Sequence, residues 1–167
     1  MQFLVVCSKV LLSLALTTLL LACANTTRSG AVGVNRSQFL AVSASEVDRL
    51  SAISYNDQNQ KAKEKNILIT SGPAYDRLKT ISTRLIAQTG VFRDDTQQWN
   101  WQLVLINAPI LNATCAPGGK ITFYTGLIEQ LNLTDDEIAA IMGHEIAHAL
   151  REHGRERLSQ AMAQSAV

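Results

Sequence analysis

Apolar and polar positions recur along this chain with different periods, and each period predicts a different kind of element. Val10 to Ala22 is an unbroken apolar run, VLLSLALTTLLLA, preceded by a single charge at Lys9. Small and polar residues follow from Ala24 to Ala44. Helical spacing then begins. Ser43 and Glu46 form a capping signature, and Val47, Leu50 and Ile53 stripe a helix that continues to about Lys63. A second helix opens at Ser71-Gly72-Pro73, carries Tyr75, Leu78, Ile81, Leu85 and Ile86 on one face, and is stopped by Gly90. From Trp99 to Ile106 the period changes to two, with Trp99, Trp101, Leu103 and Leu105 on one face and Val104 and Ile106 on the other. Ile110 to Thr114 and Lys120 to Tyr124 read as two more short strands, joined through Ala116-Pro117-Gly118-Gly119. A short helix is predicted from Gly126 to Leu131. The expected fold class is α+β: N-terminal helices, a small sheet with an edge strand, then one long helix.

That long helix carries the chemistry. Thr134 and Glu137 make a capping box, and Asp135 and Asp136 favour the positive end of the helix dipole. Ile138, Ile141, Met142, Ile146, Ala149 and Leu150 recur at helical spacing, so a helix is predicted from about Asp135 to at least Glu152. Within it stand His144, Glu145 and His148, in the order His-Glu-x-x-His. Residues four apart share a helical face, so both imidazoles can reach one metal ion. Glu145 lies beside that pair, where a carboxylate can take a proton from an attacking water. A buried glutamate between two histidines has no such use in a purely structural helix, where its burial only costs.

Composition changes this picture in two places. With 167 residues, 47% hydrophobic content and a formal net charge of +1, one globular domain with a real core is expected, and the lack of basic surplus excludes a nucleic-acid partner. The N-terminal run is too short to span a bilayer and suits the core of a signal peptide. It ends Leu20-Leu21-Ala22-Cys23, which resembles the lipobox of bacterial lipoproteins. A plain secretory signal cleaved near Ala24 is the alternative. If Cys23 carries lipid, Cys7 leaves with the signal and Cys115 remains alone, read as a packed free thiol. The expected organisation is a signal over 1–22, a lipidated Cys23 with a flexible tether over 23–44, and a domain over 45–167. The implied location is the periplasmic face of the cell envelope, held at a membrane by the lipid anchor, the outer membrane favoured over the inner.

Asn112-Ala113-x-x-Ala116-Pro117-Gly118-Gly119-Lys120-Ile121, then Tyr124-Thr125-Gly126-Leu127, then Asp136-Glu137 and His144-Glu145-x-x-His148-x-x-x-x-His153 carry a family resemblance. Together they are similar to the CAAX-prenyl-protease/HtpX-like zinc metallopeptidases, over roughly Glu46 to the end. A lipobox ahead of the domain resembles that family's bacterial periplasmic lipoprotein branch. The resemblance implies a gluzincin of zincin-like fold, one Zn2+ ion, endopeptidase activity on polypeptides, and a role in envelope protein quality control or assembly. Residue by residue it implies His144 and His148 as zinc ligands, Glu145 as general base, and Asn112 and Ala113 aligning the peptide on an edge strand.

The resemblance also implies a third ligand, a Glu within Glu-x-x-x-Asp on a later helix. No such pattern follows His148 in the nineteen residues to Val167, so the chain reads as the N-terminal part of the domain. Glu152 is the best substitute inside it, because it continues the face of His144 and His148, although about 12 Å from His144 along a straight helix. His153, about 180° around the helix from His144, is expected to face away and to act as a packing or hydrogen-bonding residue. Ile138, Ile141, Met142 and Ile146 are expected to stay partly exposed. The alternative function is a non-catalytic lipoprotein that binds peptides or assembly partners.

Overall fold

The structure, a computed structural model, describes residues 23–29, 33 and 36–165. The expected signal over 1–22 lies outside the described residues. The main elements follow the predicted order. Helix α1 is Ala44–Glu64, with the Ser43 hydroxyl accepting from the Glu46 amide at 3.3 Å. Strand β3 is Leu68–Ile69 and helix α2 is Pro73–Ile86, with Pro73 in its first turn. Two 3-10 turns, Thr89–Val91 and Asp94–Gln98, lead into strand β4, Gln102–Ile106. Strands β5, Ala113–Ala116, and β6, Lys120–Tyr124, form a hairpin followed by helix α3, Thr125–Gln130. Helices α4, Asp135–Leu150, and α5, His153–Ser165, complete the chain. Strands β1, Cys23–Ala24, and β2, Gln38–Phe39, pair separately as a small antiparallel ribbon.

The strand predicted from Trp99 starts later, at Gln102. The reason is local. The Trp101 indole N–H donates to the Thr96 carbonyl at 2.9 Å, which ties the tryptophan to the preceding turn rather than to a ladder.

The four-stranded sheet has the order β3-β4-β6-β5, with β4 and β6 parallel and the other pairs antiparallel. Its two faces meet different helices. Leu105, Ile121, Phe123, Ala113 and Cys115 pack against Leu78 and Ile81 of α2 and against α4. Val104 and Ile106 pack against Tyr55 and Ala62 of α1. The exposure expected for α4 is corrected here. Ile138 and Met142 are 0% exposed and Ile146 is 4% exposed, and only Ile141 of the four is partly open. Helix α2 and the sheet already cover that face, and each such side chain contributes about 1.5–3 kcal/mol by leaving water.

The β5–β6 turn constrains the edge strand. Gly118 and Gly119 adopt φ of 72° and 79°, and a Cβ on Gly119 would stand 2.6 Å from the Trp101 ring. Gly119→Ala combines left-handed strain with that clash, and a loss of about 2–4 kcal/mol is expected in denaturant unfolding. An unchanged midpoint would show that the hairpin moves freely from Trp101.

The polar link is not wholly a tether. Gln38 and Leu40 are buried, and the Arg36 guanidinium grips both oxygens of Glu156 on α5 at 2.9 and 2.5 Å. The Gln38 amide donates to the Arg151 carbonyl at 2.7 Å, and Arg155 donates to the Val42 carbonyl at 2.6 Å. Arg36, then Gln38, hold the Glu156 carboxyl below its ordinary range against the opposing effect of burial. Residues 36–42 therefore form a strap on α5. The composition that suggested looseness is that of a segment whose bonds are mainly polar.

Candidate metal centre and active site

Helix α4 is started as the sequence requires. The Thr134 hydroxyl accepts from the Glu137 amide at 3.3 Å, and the Glu137 carboxylate accepts from the Thr134 amide at 2.8 Å. These bonds from Thr134 hold the Glu137 carboxyl below its usual range. With its start fixed and its apolar face buried, α4 presents His144, Glu145 and His148 on its open side.

His144 Nε2 and His148 Nε2 converge to 3.0 Å, with the rings edge-on at 83°. Two nitrogens bound to one tetrahedral zinc at about 2.0–2.1 Å would be roughly 3.3 Å apart. The pair is therefore shaped for a shared cation with little movement. Among the described residues no group of three His, Cys, Asp or Glu comes together as a metal site. Among the described residues the structure thus brings two candidate donors together and not a third.

Glu152 is not that third ligand. The predicted continuous helix ends at Leu150, Glu152 adopts φ 50°, and α5 starts anew at His153. A left-handed glutamate costs about 1–2 kcal/mol. Its carboxylate is committed elsewhere: Arg93 donates to Oε1 and Arg155 to Oε2, both at 2.6 Å, and Glu152 is buried. Arg93 also donates to the Leu150 carbonyl at 3.0 Å, so one guanidinium holds both sides of the bend.

The bend also corrects His153. A straight helix would turn it away, but here its Nδ1 lies 2.6 Å from His148 Nδ1. Burial, then the neighbouring His148, push the His153 pKa down. Neither Arg93 nor the bend was legible beforehand. Arg93 is remote in sequence, and position 152 has no Gly or Asn to mark a left-handed residue.

Glu145 and His148 line one wall of a groove of about 340 Å³ whose other wall is Thr114, Cys115, Ala116 and Pro117 of the β5 end. Strand β5 is the edge of the sheet and lies against α4. Among the described residues, no side-chain hydrogen bond or ion pair engages the Glu145 carboxylate. Asn112 sits just before β5, where its side-chain carbonyl accepts from the Ala113 amide at 2.9 Å; Ala113 is buried and pairs with Phe123. Cys115 is a buried free thiol whose pKa burial, then the Glu145 charge, push up to about 12, which suits packing rather than nucleophilic attack.

The sequence profile of peptidase family M48 matches residues 74–167, more than half of the chain. The chain belongs to peptidase family M48. That family is zinc-dependent, which agrees with the donor pair on α4. Mitochondrial metalloendopeptidase OMA1 of Arabidopsis thaliana is 39% identical over 61 residues, covering 36% of this chain and 12% of the relative. Metalloendopeptidase OMA1 of Homo sapiens is 28% identical over 123 residues, 73% of this chain and 23% of the relative. Metalloprotease LoiP of Escherichia coli is 27% identical over 161 residues, 94% of this chain and 58% of the relative. The chain therefore spans between 12% and 58% of the length of these relatives. No solved structure matches it.

Proposed function

We propose that this M48 chain works as a zinc metalloendopeptidase on extended polypeptide segments. The observation that carries the reading is the groove shared by the edge strand β5 with Glu145 and His148. An extended peptide can add to the open edge of β5 through main-chain hydrogen bonds, which places its carbonyls along the metal helix. His144 and His148 would hold the zinc, which when bound supplies Lewis acidity to water and to the scissile carbonyl. Glu145 accepts the proton of the attacking water and returns it to the leaving amine. Asn112, which caps the start of β5, keeps that edge in register, with Ala113 anchoring it in the core. The wall from Thr114 to Pro117 keeps the peptide close and narrows access of bulk water.

Anchoring through Cys23 at the envelope, with misfolded or unassembled envelope proteins as substrates, is part of the same proposal. The lipobox resemblance of residues 20–23 supports it. A second reading, peptide binding without turnover, is favoured by the two-ligand set among the described residues.

The test is hydrolysis of an unstructured, internally quenched peptide by the purified protein. Activity is expected to disappear with 1,10-phenanthroline and to return with added zinc. Binding of the same peptide without cleavage, whatever the metal content, would favour the second reading.

A further inference from the structure

We infer that His153 is a positioning residue for His148, fixing the tautomer and ring angle that aim His148 Nε2 at the cation shared with His144. This rests on the proposed zinc reading of the two histidines. A ligating imidazole must lend an unprotonated nitrogen to the metal. With Nε2 as the ligating atom, His148 keeps its proton on Nδ1, and that proton needs an acceptor.

The Nδ1···Nδ1 distance of 2.6 Å between His148 and His153 leaves room for one hydrogen. If His148 donates, its Nε2 is bare on the side where His144 Nε2 stands 3.0 Å away. If His153 donates instead, neutral His148 must carry its proton on Nε2, and the site is closed to a cation. The arrangement that admits a metal therefore has His153 as acceptor, with its own proton on Nε2. The rings meet edge-on, 4.8 Å between centroids and 69° between planes, so a ring nitrogen and not a ring face is offered. Among the described residues no other group hydrogen-bonds His148 Nδ1.

This placement is built rather than incidental. It requires α4 to stop at Leu150 and α5 to restart at His153, with Glu152 left-handed between them. Arg93 holds both the Leu150 carbonyl and the Glu152 carboxylate, and Gln38 holds the Arg151 carbonyl. Two remote parts of the chain, at Arg93 and at Gln38, thus secure a bend whose visible result is the imidazole pair.

The substitutions His153→Leu and His153→Asn in the full chain separate the roles. Asn carries a side-chain oxygen where His153 Nδ1 lies, while Leu removes the acceptor. In metal-free protein, nitrogen-15 NMR of the rings is expected to show His148 protonated on Nδ1 in wild type and His153→Asn, and on Nε2 to a large extent in His153→Leu. Zinc affinity, titrated against a chromogenic chelator, should fall about 10–100-fold in His153→Leu and change little in His153→Asn. If His153→Leu fails to fold, His153→Gln replaces it, because its longer side chain cannot place an acceptor at the Nδ1 position. An unchanged His148 tautomer, or an unchanged zinc affinity in the variant without an acceptor, would overturn the inference. Failure of the zinc reading shows differently: wild type and His144→Ala would then bind zinc equally, while the tautomer measurement still decides the role of His153.

Discussion

Glu145→Gln is expected to lower peptide hydrolysis by about 10²–10⁴-fold while leaving the fold and the metal in place. The substitution keeps shape and polarity but removes the ability to accept a proton. It should be silent structurally for a specific reason. Glu145 is partly exposed and, among the described residues, is in no ion pair that neutralisation would strand. Its charge does act on Cys115, where it adds to the effect of burial, so the Cys115 thiol should titrate slightly lower in the variant. Zinc affinity should stay within a few-fold, since the proposed ligating atoms belong to His144 and His148. Peptide binding measured by fluorescence anisotropy should persist. Retained turnover in Glu145→Gln would remove the general base from the mechanism. Equal peptide binding with no turnover in either protein would support the non-catalytic reading.

Glu152→Ala is expected to be the most destabilising single change near the site, by about 3–5 kcal/mol. Removing this carboxylate leaves two guanidinium groups with much of their surface out of water: the Arg93 and Arg155 side chains are only 14% and 20% exposed. Arg93 would keep its bond to the Leu150 carbonyl and its pair with Asp95, and Arg155 its bond to the Val42 carbonyl, so the loss falls short of complete unfolding. In urea the midpoint should drop at an unchanged slope, because the same surface is exposed on unfolding. A second effect should appear at the metal. Once the bend relaxes, His153 leaves His148, and zinc affinity falls along with stability. Glu152→Gln, which keeps one acceptor, should lie between the two. Wild-type stability in Glu152→Ala would mean that the bend is held without the Glu152 carboxylate, by the bonds to the Leu150 and Arg151 carbonyls and the packing of α5.

The α4 helix was readable because three independent signals agreed. A capping box, an apolar face and a pair of histidines four apart all describe one helix, and the structure adds only where it stops. That a short strand precedes the glycine turn was readable from Ile110 to Thr114, its edge position only from the family resemblance, and its start at Ala113 and not Ile110 was not. What escaped was held by long-range polar contacts. Arg93 meets Glu152 across 59 positions, and Arg36 meets Glu156 across 120. Neither pair leaves a periodic trace. Helical extrapolation through Glu152 therefore carried His153 to the wrong side and made Glu152 a candidate ligand, when the local cost of its left-handed backbone is offset by the distant Arg93 together with the neighbouring Arg155. The exposure expected for Ile138 and Met142 failed for a related reason: α2, some 60 residues earlier, already covers them.

The central claim is that His144 and His148 hold one zinc ion beside Glu145 at the β5 edge. A crystal structure of the protein grown with zinc, with data collected at the zinc absorption edge, tests it directly. One anomalous peak is expected about 2.0–2.1 Å from both Nε2 atoms, with Glu145 outside the ligand shell and facing the groove. A peak away from this pair, or Glu145 bound to the ion in place of either histidine, would contradict it.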